Sequence, residues 1–162
     1  MVNLLRSLQL LALGLWLGAM VCFGFLVAPM LFAKLPTRDL AGAIVTVVLG
    51  RLNKMGIVAG IIYLVAAALE PRWAASASTA ASGGVFTVRN ALVVGMIVFT
   101  VYSQFVISPR MAALRTEMVS VDRTPADDPL RVAFNRYHRY SVWLMTASLL
   151  AGLAAFYLTA RR

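Results

Sequence analysis

Charge is scarce in this sequence, and acidic charge most of all: six Asp and Glu stand against fifteen Lys and Arg in 162 residues, 13% charged in total. A water-soluble domain carries about 25% charged residues to cover its surface. With 61% hydrophobic residues and a mean hydropathy of +0.83, the apolar side chains need a solvent other than water, and lipid is the one that fits. A single cysteine, Cys22, excludes an internal disulfide; inside the first apolar run it reads as a small buried hydrophobe. A single histidine, His138, excludes bis-histidine haem ligation within one chain. There is no nucleotide loop, no carboxylate pair within a span and no nucleophile beside a base and an acid. The six acids fall in loops or at helix ends, where capping and charge balance account for them, so no intramembrane acid suggests a proton relay. Solenoid repeats are absent as well.

The positive balance does not point to nucleic acid, because the arginines sit at the ends of apolar runs rather than along one polar face. Nor does the N-terminus read as a secretory leader. The stretch after Arg6 is uncharged from Leu8 to Phe32, well past the roughly 7–15 residues of a leader's apolar core. Ala19-Met20-Val21 also places valine where a lipoprotein cleavage site before Cys22 would need a small residue.

What the sequence does contain is four apolar runs. The first gives a span over about residues 8–30, with Pro29 near its end and Trp16 expected to pack between helices. The second, Leu40 to Leu69, is longer than the ~20 residues needed to cross and is interrupted by Arg51, Asn53 and Lys54. An unpaired arginine at mid-bilayer costs at least about 2.5 kcal/mol, so the span is expected over 52–69, with 38–51 helical but outside. Glu70-Pro71 is expected to stop that helix, and Ala74–Gly84 to form an Ala/Ser/Gly loop. The third span covers 87–108, followed by Pro109 and a polar helical segment over 110–120. Asp128-Pro129 is a helix start, an acceptor at the N-cap with proline in the first turn. That helix is expected to run through 129–139 into a fourth span at 140–159, with Tyr137, Tyr140 and Trp143 as an interfacial belt.

The expected fold is therefore all-α: an integral membrane up-down four-helix bundle, one domain over 1–162, with helical extensions past the bilayer on one side. Small residues at four-residue spacing (Gly14, Gly18 and Cys22; Gly56 and Gly60; Ala91 and Gly95; Ala147, Ala151 and Ala155) would let the helices approach closely. The same faces could hold a homo-oligomer together.

Ten of the fifteen basic residues lie within Lys34–Lys54 and Arg110–Arg139, and five at the other end. The positive-inside rule then puts loops one and three in the cytoplasm and both termini outside, in a bacterial inner (plasma) membrane. The basic end would meet anionic lipid headgroups. It also gathers the candidate site residues Arg51, Lys54, Pro109, Arg110, His138 and Ser141, since ionisable groups at a bundle's rim are the first place to look for function. No catalytic, cofactor or metal residue is assigned.

Taken in order, Trp16-Leu17-Gly18, Pro29-Met30-Leu31-Phe32, Ala41-Gly42, Ile107-Ser108-Pro109-Arg110 and Phe134-x-x-x-His138-x-x-Ser141 give the chain a likeness to a known family. It resembles the family catalogued as domain of unknown function 4149, which takes in the transmembrane protein 205-like proteins. The resemblance implies a four-span helical membrane protein without an established activity, with Pro29, Pro109, His138 and Ser141 in the shared pattern. More distantly the layout is similar to copper-resistance and haem-associated four-helix membrane proteins, which place several histidines within spans where this chain has one. The leading expectation is a non-enzymatic structural, transport-associated or partner-binding component. The alternative is a haem- or copper-handling redox module using His138 with a methionine or a second protomer. Met20, Cys22 and Met30 offer a soft-ligand set for copper.

Overall fold

Apolar segments of this length have no water to satisfy their backbone groups, and helices satisfy those groups internally. The computed structural model describes residues 2–74, 87–118 and 120–161, the side chains of 71–74 excepted, and every long element in it is helical. Among the described residues four helices are long and apolar enough to cross a membrane: α1 (Val2–Lys34), α2 (Arg38–Ala74), α3 (Val88–Met118) and α4 (Pro129–Ala160). α1 packs on α2 and α3 on α4, while α2 against α3 and α1 against α4 close the ring. Thus α1 and α3 occupy one diagonal of the bundle, α2 and α4 the other. Apolar side chains such as Phe25 (76% exposed) and Leu11 (71%) face outward, as a lipid-bathed surface requires.

At about 1.5 Å per residue these helices run some 45–55 Å, well beyond a hydrocarbon core of about 30 Å. They therefore extend past any bilayer they cross. α2 is unbroken through Arg51, Asn53 and Lys54, and Arg51 and Lys54 are both exposed. Glu70-Pro71 does not stop it: the helix continues to Ala74, since a proline in the final turn removes only one helical hydrogen bond. The loop expected over Ala74–Gly84 lies, after Ala74, outside the described residues. Asp128 caps α4 as its sequence predicts, its Oδ1 accepting from the Leu130 amide at 2.8 Å.

The core explains several of the small residues. Trp16, 4% exposed, fills the space beside Gly56 and Gly60, where a methyl group at Gly56 would overlap the indole. Gly152 takes Leu17 and Met96 in the same way. A methyl group placed on Gly18 or Gly95 would meet nothing within 4 Å, and Cys22 is exposed rather than buried. Gly18, Gly95 and Cys22 thus do not serve packing inside the bundle, whereas Gly14 lies against the Phe156 ring.

Two helices carry a widened turn before a proline. In α1 the π-helical segment Phe23–Val27 precedes Pro29, and the Ala28 amide reaches back five residues to the Phe23 carbonyl. In α3 the segment Ser103–Ile107 precedes Pro109, and the Ser108 amide reaches the Ser103 carbonyl. A proline ring collides with the carbonyl four residues back and brings no N–H; widening the turn relieves the collision and bends the helix. The two prolines are 80 residues apart (109 − 29 = 80).

Candidate functional site

The widened turns border a cavity of about 40 Å³ near the middle of all four helices. Its apolar lining includes Trp16, Met20 and Phe23 from α1, Leu49 and Leu52 from α2, Phe99 from α3, and Leu144 and Met145 from α4. Its polar lining is Asn53, Thr100, Ser103, Ser141 and Ser148. Thr100 and Ser103 share a face of α3 by their three-residue spacing, and Ser141 and Ser148 share one of α4 by two full turns.

Hydroxyls in helices usually return to a carbonyl one turn back, as Thr146 does to Val142 (2.9 Å) and Thr159 to Ala155 (2.8 Å). Those of Thr100, Ser103, Ser141 and Ser148 have no hydrogen-bond partner among the described residues. Asn53 spends its Nδ2 on Gln104 Oε1 at 3.0 Å and keeps its own oxygen free of that bond. Unpartnered polar groups around a space of this size call for a polar occupant, because leaving them dry is costly. About 40 Å³ holds a few water-sized groups. Among the described residues no Asp, Glu, Lys, Arg or His side chain lines it.

The six residues singled out from the sequence do not converge on one point. Ser141 lines the cavity, whereas Arg51, Lys54, Pro109, Arg110 and His138 are exposed. Arg110 donates from Nη1 to Tyr137 Oη at 3.3 Å and lies 5.7 Å over that ring. The firmer junction at the basic end is one that the sequence does not single out. Asp39 accepts from Ser120 Oγ (2.8 Å) and the Val121 amide (3.0 Å), while Arg115 lies 5.5 Å over Phe134 and crosses α2 where Gly42 leaves room.

His138 and Met145 are two turns apart on one helix, and Met145 lines the cavity while His138 is exposed outside it. Met20 faces the cavity, but Cys22 and Met30 are exposed, so that trio does not converge either. Among the described residues no three His, Cys, Asp or Glu side chains are grouped.

By sequence the opposite end is plain, its acids explained by capping and charge balance. The structure corrects this. Arg89 (5% exposed) donates from Nη2 to Glu70 Oε2 at 2.6 Å and from Nη1 to the fully buried Gln9 Oε1 at 3.2 Å. Tyr63 and Thr159 share a second buried hydrogen bond at 2.8 Å. These ties join all four helices at that end.

No curated protein and no solved structure matches this chain. The model of one family, described as a domain of unknown function (DUF4149), matches residues 11–120, which run from α1 through α3 and cover more than half the chain. The chain belongs to the DUF4149 family.

Proposed function

We propose that this membrane protein is a non-enzymatic, transport-associated component that receives a small molecule at mid-depth and passes it on unchanged. The observation that carries the reading is the central cavity with its four unpartnered hydroxyls and no charged lining. A purely structural bundle gains nothing from such a space, because filling it with apolar side chains would be more stable. Proteoliposomes holding the protein are expected to take up a small neutral solute such as glycerol faster than protein-free vesicles, with Ser103→Leu abolishing the gain. Equal uptake with and without protein would overturn the reading.

The same reading sets the chain in a bacterial inner membrane with both termini outside and anionic lipid headgroups as partners of the basic end. Its support is the ten-to-five division of basic residues between the two ends. A C-terminal alkaline phosphatase fusion is expected to be active and a C-terminal green fluorescent fusion dark. The reverse pattern would invert the topology.

A further inference from the structure

We infer that α1–α2 and α3–α4 are fused copies of one helical hairpin, and that the cavity between them receives a small uncharged amphiphile. Its hydrogen-bonding head sits on the hydroxyls of α3 and α4, and its apolar tail leaves between α1 and α4. The inference deepens the proposed function and rests on its reading of the cavity as a receiving site.

Adding 80 to a position in α1 gives its counterpart in α3. Pro29 falls on Pro109, Phe25 on Phe105, and one π-helical turn on the other. Adding 96 to a position in α2 gives its counterpart in α4: Gly56 falls on Gly152, Ala59 on Ala155 and Tyr63 on Thr159, all buried. Packing obeys the same rule. Gly56 accommodates Trp16, and Gly152 accommodates Met96, the counterpart of Trp16.

A two-fold axis brings equivalent residues face to face where they lie beside it, and this happens twice. Gln9 and Arg89 are 80 residues apart and hydrogen-bonded; Tyr63 and Thr159 are 96 apart and hydrogen-bonded. Each hairpin starts from the same side of the membrane, so the axis runs along the membrane normal. Membrane proteins built from repeats place their ligand at mid-depth between the copies, where helices depart from regular geometry. The cavity and its two widened turns stand at that place.

The copies differ where they line the cavity. Met20 corresponds to Thr100, Phe23 to Ser103 and Leu52 to Ser148. The four hydroxyls all come from the second copy, while the first supplies apolar side chains and Asn53. A site with no charged side chain would strip an ion of water without replacing it, so the head is neutral. Beside the cavity, a crevice of about 250 Å³ between α1 and α4 is lined by Gly24, Phe25, Val142 and Leu149, and shares Met20 and Met145 with it. Methionine thioethers yield readily to a passing chain. The crevice therefore gives a bilayer-dissolved molecule a lateral way in.

Trp16 lines the cavity and reports on it once Trp73 and Trp143 are replaced by phenylalanine. In that background 1-hexanol is expected to shift Trp16 emission saturably, with roughly tenfold preference over hexane, about one hydrogen bond's worth. Hexanoate and hexylammonium are expected to leave the emission unchanged. Thr100→Val, Ser103→Ala, Ser141→Ala and Ser148→Ala together remove the hydroxyls at little change in volume, and are expected to erase the preference for the alcohol while hexane still binds. Retained binding of hexane also shows that the combined variant is folded. No saturable shift with hexanol, ions binding as well as hexanol, or an unchanged preference in the combined variant would each overturn the inference. If hexanol binds but glycerol uptake is absent, transport fails and the site stands; if uptake occurs without hexanol binding, the ligand class fails alone.

Discussion

Arg89→Leu is expected to destabilise the bundle by about 3–5 kcal/mol, and Glu70→Leu in the same chain to restore much of the loss. Arg89 is 5% exposed and its partner's side chain 14%, so the pair sits where neither charge can be rehydrated without opening the helix ends. Removing the guanidinium leaves Glu70 without its counter-charge and Gln9 Oε1 without its donor, and both penalties fall on the folded state. Removing both charges deletes the attraction and the desolvation cost together, which for buried pairs comes close to neutral. Thermal unfolding in detergent of the two single variants and the double variant measures this. A double variant as unstable as Arg89→Leu alone would show that the pair is not a unit.

This pair also shows where sequence reading runs out. The spans are legible because each apolar run is long and its ends are charged, and the start of α4 because Asp128-Pro129 fixes a helix locally. Glu70 and Arg89 are 19 residues apart with an Ala/Ser/Gly-rich stretch between them, so each reads alone as a charge flanking a span. Only the docking of α1 against the ends of α2 and α3 converts them into a buried tie. The cavity hydroxyls are hidden for another reason: a serine in a helix looks the same whether it returns to its own backbone, as Thr146 does, or faces a space. Asn53 stands out in the sequence only as part of a polar interruption beside Arg51 and Lys54; those two turn outward while Asn53 turns inward.

The hairpin repeat, by contrast, does leave a trace in the sequence. Phe25-x-x-x-Pro29 and Phe105-x-x-x-Pro109 repeat at a spacing of 80, and applying it along α1 carries Gln9 to Arg89 and Phe23 to Ser103. As single residues Pro29 and Pro109 mark only the basic end. Their larger consequence lies one turn earlier, where the widened segments border the cavity.

Glycine substitutions give the second large expected effect, and its size depends on what the new methyl meets. At Gly56 it would overlap the Trp16 indole, a rigid ring held between helices, so Gly56→Ala is expected to cost about 1–3 kcal/mol. At Gly152, the equivalent position, the nearest atoms are Leu17 Cδ2 at 2.5 Å and Met96 Cε at 2.8 Å, both ends of flexible side chains. Those can rotate away, so Gly152→Ala is expected to cost under about 1 kcal/mol. At Gly18 nothing lies within 4 Å, and the better helix propensity of alanine, worth up to about 1 kcal/mol, is left unopposed. The expected order of unfolding temperatures in detergent, highest first, is therefore Gly18→Ala, then Gly152→Ala, then Gly56→Ala. Because Trp16 also walls the cavity, Gly56→Ala alone of the three is expected to shift Trp16 emission in the variant lacking the other tryptophans. Equal midpoints for Gly56→Ala and Gly18→Ala would mean that α1 and α2 do not approach as closely as the indole between them requires.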